Sequence, residues 1–304
     1  MQIKRNNRYF LYFIILVTAA QLWVGRKLPR WSAGELITYL ACFGLGVLML
    51  KRDGTPLTEV LPYHVGLKPG TALLIVALTF TLAPLSCALS ELGARFGGDM
   101  IELVEQYMDR SGVSFVETLF MAALLPAVFE EMYFRGFFYA GFRRARGARC
   151  AVLMTSVLFG FFHMNLQQIA YASVLGVFIA LLRELTGSMW AGMLIHFVNN
   201  AWSCVEVAVP KDSFLLKLPL ERVTFTGEPS QIVSSCVMLV VCTAASVWII
   251  FRIAKREGRL EDLKRFFPRA EREKGKLFTA PLVIACVLLV LGTAASTLIL
   301  LLYR

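Results

Sequence analysis

Residues 279–302 read TAPLVIACVLLVLGTAASTLILLL, a run with no charged side chain. A bilayer core of roughly 30 Å needs about 20 apolar residues per helical crossing, so this run can span a membrane as a single helix. Working back toward the N-terminus, comparable runs occupy about 9–24, 36–50, 71–89, 115–140, 151–163, 168–183, 189–208 and 230–252. Hydrophobic residues make up 57% of the 304 positions, which leaves no room for a sizeable water-facing domain. The expected fold class is therefore all-α. It is a polytopic transmembrane helix bundle with about eight or nine spans, a single integral membrane domain over 1–304.

The formal charge of +10 raises the question of nucleic acid, but the basic residues flank apolar runs and no aromatic-basic recognition module accompanies them. Topology accounts for them better. With the N-terminus in the cytoplasm, Lys51 and Arg52, then Arg143, Arg144, Arg146 and Arg149, then the run from Arg252 to Lys276 all fall on the inner side, as the positive-inside rule asks. Arg26, Lys27 and Arg30 break the pattern. The first run follows Lys4, Arg5 and Arg8 as a signal peptide would, yet no cleavage motif ends it, so a retained signal anchor is expected.

Two stretches read as interfacial. Asp99, Glu102, Glu105 and Asp109 alternate with Ile101, Val104 and Met108 at helical spacing on the outer side. Residues 255–276 mix Lys and Arg with Leu260, Leu263, Phe266 and Phe267, the pattern of a basic amphipathic helix resting on anionic lipid. The seven cysteines show no CxxC spacing and read as buried thiols. No glycine-rich phosphate loop is present, and no cofactor is expected.

Ionisable groups inside spans are costly, so each one away from a span end needs a reason. Few qualify. The fourth run carries Glu130, Glu131 and Arg135 within AVFEEMYFRGFFY (127–139); the fifth carries His163; the seventh carries His196 with Asn199 and Asn200. Glu131 and Arg135 are four apart and can pair on one helical face. Glu130 points about 100° away and has no cation at helical spacing, which leaves it free to face a cavity as a general base. Pro126 deprives the Ala122 carbonyl of its helical donor and should kink the span and admit water. Phe159 stands one turn before His163, and Gly160 permits close helix approach. His196 and Asn200 share a face and could both donate to a developing oxyanion. Asn165, Gln167 and Gln168 are expected to line a wet cavity. The remaining histidine, His64, stands apart in a loop.

These residues resemble the CAAX-protease and bacteriocin-processing family, whose three motifs EExxxR, FxxxH and HxxxN occur here in order. They are Glu130-Glu131 to Arg135, Phe159 to His163, and His196 to Asn200. The resemblance covers about 115–205, the expected catalytic core spans, and Phe134-Arg135-Gly136 looks like the bacterial branch. It implies a glutamate-type intramembrane endopeptidase. Glu130 with His163 would activate water, His196 and Asn200 would stabilise the oxyanion, and Glu131, Arg135 and Phe159 would support them. The implied partners are a membrane-embedded or lipidated protein substrate and the surrounding lipids, in a bacterial cytoplasmic membrane. A zinc-dependent protease, a non-catalytic immunity or regulatory protein of the same fold, and a secondary transporter using Glu130 as a proton carrier are the competing readings. The first lacks an HExxH spacing; the second would tolerate loss of the four polar residues.

Overall fold

The computed structural model describes residues 3–27, 31–97, 113–209, 223, 225, 228–265 and 276–302. Among these residues every regular element is helical. In chain order they are α1 (Ile3–Lys27), α2 (Trp31–Asp53), the one-turn α3 (Leu57–Val60) and α4 (Pro69–Gly97). A composite helix α5 (Phe115–Phe138) follows, then α6 (Tyr139–Phe162), α7 (Leu166–Thr186), α8 (Met189–Ala208), α9 (Pro229–Arg256), the short α10 (Leu260–Arg265) and α11 (Ala280–Leu302). The protein is an all-α polytopic membrane bundle.

Among the described residues, five helices are long and apolar enough to cross a membrane by length and composition: Gly34–Asp53, Pro69–Phe96, Leu166–Thr186, Pro229–Arg256 and Ala280–Leu300. Helices α1, α5, α6 and α8 are not among them; α5 and α8 carry the charges, imidazole and amides that concern the site. Leu73, Val237, Val240, Val241 and Leu291 stand exposed on α4, α9 and α11, the surface expected of helices that face lipid.

The cysteines among the described residues are free thiols, but they are not uniformly buried: Cys42 and Cys204 are, whereas Cys236 is exposed on α9. A thiol costs little on a lipid-facing surface, so an apolar run does not by itself imply burial. The acidic stretch with Asp99 to Asp109, and residues 266–275 of the basic segment, lie outside the described residues. Of that segment, the described part holds the end of α9 and the short α10, with Leu263 buried and Lys264 paired to Glu261.

Two apolar clusters build the bundle. One joins Phe10, Phe13 and Ile14 of α1 to Phe134 and Phe138 of α5, Phe142 and Phe159 of α6, and Leu282 and Leu289 of α11. The other joins Ile75 and Leu78 of α4, Leu175 and Ile179 of α7, Ile195 of α8 and Ile250 and Ile253 of α9. Since lipid is as apolar as these side chains, such contacts hold the helices by packing rather than by exclusion of water. Gly160 shows the closeness this requires: a Cβ there would meet the Ile169 carbonyl at 2.5 Å, so α6 and α7 cross almost backbone to backbone.

The charged ends gather at one end of the bundle. Arg5 pairs with Asp53, Arg144 with Glu59, Arg143 with Glu184 at 2.7 Å, and Lys68 with Glu257 at 2.9 Å. The start of α1, the end of α2, the basic bend in α6 and the end of α9 are thus neighbours. The positive-inside reading needs that same grouping on one side of the membrane.

Candidate active site

Helix α5 departs from a regular α-helix at two places. It begins as Phe115–Thr118, widens to a π-helix over Leu119–Leu124, tightens to α over Leu125–Glu131, and widens again over Met132–Phe138. Such π segments are often found at functional sites, because the extra residue per turn rotates the side chains that follow. Pro126 sits between the two, and the widened turn before it accommodates a position that cannot donate. The orphaned carbonyl finds a partner on another helix: Asn200 Nδ2 donates to the Ala122 oxygen at 3.1 Å. Asn200 Oδ1 in turn accepts from Asn199 Nδ2 at 3.1 Å. The donor missing from the turn that leads into the first motif is thereby supplied by the last residue of the third.

Glu130 and Glu131 are both buried but differently surrounded. Glu131 Oε1 accepts from Arg135 Nη1 at 3.1 Å, as its spacing predicts, and also from His196 Nδ1 at 2.9 Å. Glu131 is therefore more than the partner of Arg135, since it holds the imidazole of the third motif. Arg135 Nη2 donates to the Gly176 carbonyl at 3.1 Å, and its guanidinium lies 4.4 Å from the centre of the Phe159 ring. The same ring meets both imidazoles edge-on, His163 at 4.9 Å and His196 at 5.7 Å. Phe159 is thus the shared wall between two histidines and an arginine. Its role reaches beyond holding His163.

Glu130 Oε2 lies 4.0 Å from His196 Nε2, and the charge of Glu130 also acts on His163. At 4.0 Å the pair is beyond a direct hydrogen bond but within reach of one shared water. His163 Nδ1 lies 2.9 Å from the Phe159 carbonyl, which can only accept. Both histidines thus have Nδ1 against an oxygen acceptor, so each carries its proton there when neutral and presents Nε2.

Of the polar residues after His163, Asn165 and Gln167 do not line an open cavity as expected. Asn165 is buried and caps α7, its Oδ1 accepting from the Gln168 amide at 3.2 Å, and Gln167 is buried, with its own backbone packed close to Gly93 of α4. An Asn just before a helix has first call on the free amides there. His64 is exposed in its loop.

Sequence reasoning missed two residues of α2. Tyr39 donates its hydroxyl to Glu130 Oε1 at 3.3 Å, and Glu35, one turn earlier, is close enough for its charge to act on Glu130. Glu35 lies one position before the second apolar run, where an acidic residue looks like a span boundary. Its spacing of four from Tyr39 was the available signal.

Close packing completes the site. A Cβ on Gly192 of α8 would lie 3.0 Å from Glu131 Oε2 and 3.0 Å from Ile179 Cγ2. Gly192→Val should therefore cost about 1–3 kcal/mol by overpacking, read as a lower unfolding temperature in detergent. An unchanged temperature would mean that α8 can move away from α5.

With this geometry in view, comparison with known proteins adds one result. A family model described as type II CAAX prenyl endopeptidase, Rce1-like, matches residues 112–202. Residues 112–202 are thus similar to this family. The match takes in all three motifs and stops short of α2. No curated protein and no solved structure matches the chain. The matched segment takes in α5, α6, α7 and most of α8.

Proposed function

We propose that the protein is a glutamate-type intramembrane endopeptidase. It hydrolyses a peptide bond near the end of a membrane-anchored or lipid-modified protein. The observation that carries this reading is the approach of His196 Nε2 to within 4.0 Å of Glu130 Oε2, with Glu131 bound to the other imidazole nitrogen.

In this reading water is the nucleophile. Glu130 takes a proton from it, helped by the Nε2 lone pair of His163, as its oxygen bonds to the carbonyl carbon. The carbonyl oxygen gains negative charge and is met by His196 and Asn200. When the tetrahedral intermediate collapses, the C–N bond breaks and the proton held by Glu130 passes to the leaving amine. The products are a carboxylate and a new amino terminus.

The hydrogen bonds set a condition on His196. With Nδ1–H given to Glu131, Nε2 can donate to an oxyanion only if the ring is the imidazolium. Glu131 on the far side stabilises that cation, and Arg135 and Phe159 hold Glu131 and the ring in place. Asn200 spends one amide hydrogen on Ala122 and keeps the other.

The substrate and the surrounding lipids are the partners, and the cell is a bacterium whose cytoplasmic membrane holds the N-terminus inside. The decisive experiment is mass spectrometry of membrane proteins from cells carrying the wild type or Glu130→Gln. At least one protein is expected to keep a terminal tail in the variant, and identical termini throughout would overturn the reading. Cleavage by the purified protein should persist in excess EDTA and phenanthroline. Its loss, with recovery on adding zinc, would favour the metal-dependent alternative.

A further inference from the structure

We infer that Tyr39 of α2 is a positioning residue for Glu130, holding the carboxylate on which the proposed hydrolysis rests. The family match begins at residue 112, so it assigns nothing to α2.

Three contacts tie this one residue to the segment that carries the two carboxylates. The Tyr39 hydroxyl donates to Glu130 Oε1 at 3.3 Å. Its ring stacks on Phe129, the residue before Glu130, with centroids 5.1 Å apart and planes 12° from parallel. Its backbone carbonyl accepts from the Tyr133 hydroxyl. Tyr133 itself lies in the second π segment, three residues after Glu130, and its ring packs 4.9 Å from Phe13 of α1. The side chain and main chain of Tyr39 are therefore both committed to residues 129–133.

The consequence concerns which oxygen works. Glu130 Oε2 is buried and has no hydrogen-bond partner among the described residues, and it lies 4.0 Å from His196 Nε2. By occupying Oε1, Tyr39 fixes the carboxylate rotamer so that Oε2 faces the imidazole. A carboxylate in a helix has several rotamers available, and a base held away from its target loses rate steeply. Phe129 and Tyr133 keep Tyr39 itself from drifting, so the alignment does not depend on a single long hydrogen bond.

Tyr39→Phe isolates the hydroxyl, because the ring stacking and the carbonyl bond from Tyr133 remain. The expected result is a roughly 10-fold fall in kcat with KM unchanged, the scale of one hydrogen bond to a charged group, at an unchanged unfolding temperature. A purely structural role would instead lower the unfolding temperature and leave kcat per folded molecule as in the wild type, which would overturn the proposal.

Infrared spectroscopy gives a second readout that needs no cleavage. The carboxylate stretch of Glu130, assigned by subtracting Glu130→Gln, should shift in Tyr39→Phe, and an unmoved band would overturn the contact. A wild type that cleaves nothing would remove the hydrolase reading, while the infrared comparison would still decide whether Tyr39 holds Glu130.

Discussion

Glu130→Gln will remove cleavage while leaving the protein folded. The expected loss in turnover is about a hundredfold to ten-thousandfold, the usual contribution of a positioned general base. The substitution keeps the shape of the side chain and leaves an amide oxygen to accept from Tyr39. It disturbs no bond at Oε2, which has no hydrogen-bond partner among the described residues. Glu131, with its bonds to Arg135 and His196, is untouched. The measurement is product formation by the purified protein in detergent, beside its thermal unfolding. Full cleavage at a wild-type unfolding temperature would sink the mechanism. A regulatory protein of the same fold predicts a different pattern, since neither variant nor wild type would yield product and the cellular role would survive the substitution.

Much of the fold was legible because spans advertise themselves. The expected run 189–208 coincides with α8, and 279–302 is within one residue of α11. Hydrophobic length is a property of the local chain, so it survives whatever the neighbours do. The Glu131–Arg135 pair was legible for the same reason, being set by helical rise. What the sequence hid depends on which helices meet. That the Ala122 carbonyl would lack a donor followed from Pro126, but that Asn200 would supply one requires α8 to lie against α5. That Glu131 serves an imidazole as well as a guanidinium requires the same contact. The π segments were hidden because no residue type marks them. Tyr39 was hidden because a tyrosine in an apolar run looks like packing until the carboxylate facing it is known. The expectation for Asn165 failed for a local reason, since its side chain caps the helix that follows.

The largest effect on stability is expected from Arg135→Met. Arg135 is 1% exposed, and its guanidinium reaches Glu131, the Gly176 carbonyl and the face of Phe159. Methionine fills much of the space but leaves the Glu131 charge buried without its cation, a defect that costs about 3–5 kcal/mol. Thermal unfolding in detergent should fall by roughly 10 °C. The double variant Glu131→Gln with Arg135→Met separates charge from packing. It removes the stranded carboxylate, keeps an amide oxygen for His196 Nδ1, and should unfold at a higher temperature than Arg135→Met alone. Catalysis should not recover with it, because a neutral amide cannot favour the imidazolium that the proposed oxyanion role demands. Stability returning without activity would assign the ion pair two separable tasks, holding α5 against α7 and charging His196. If the double variant is no more stable than the single one, the cost lies in lost packing around Phe159 and Gly176, and the pair contributes little as charge.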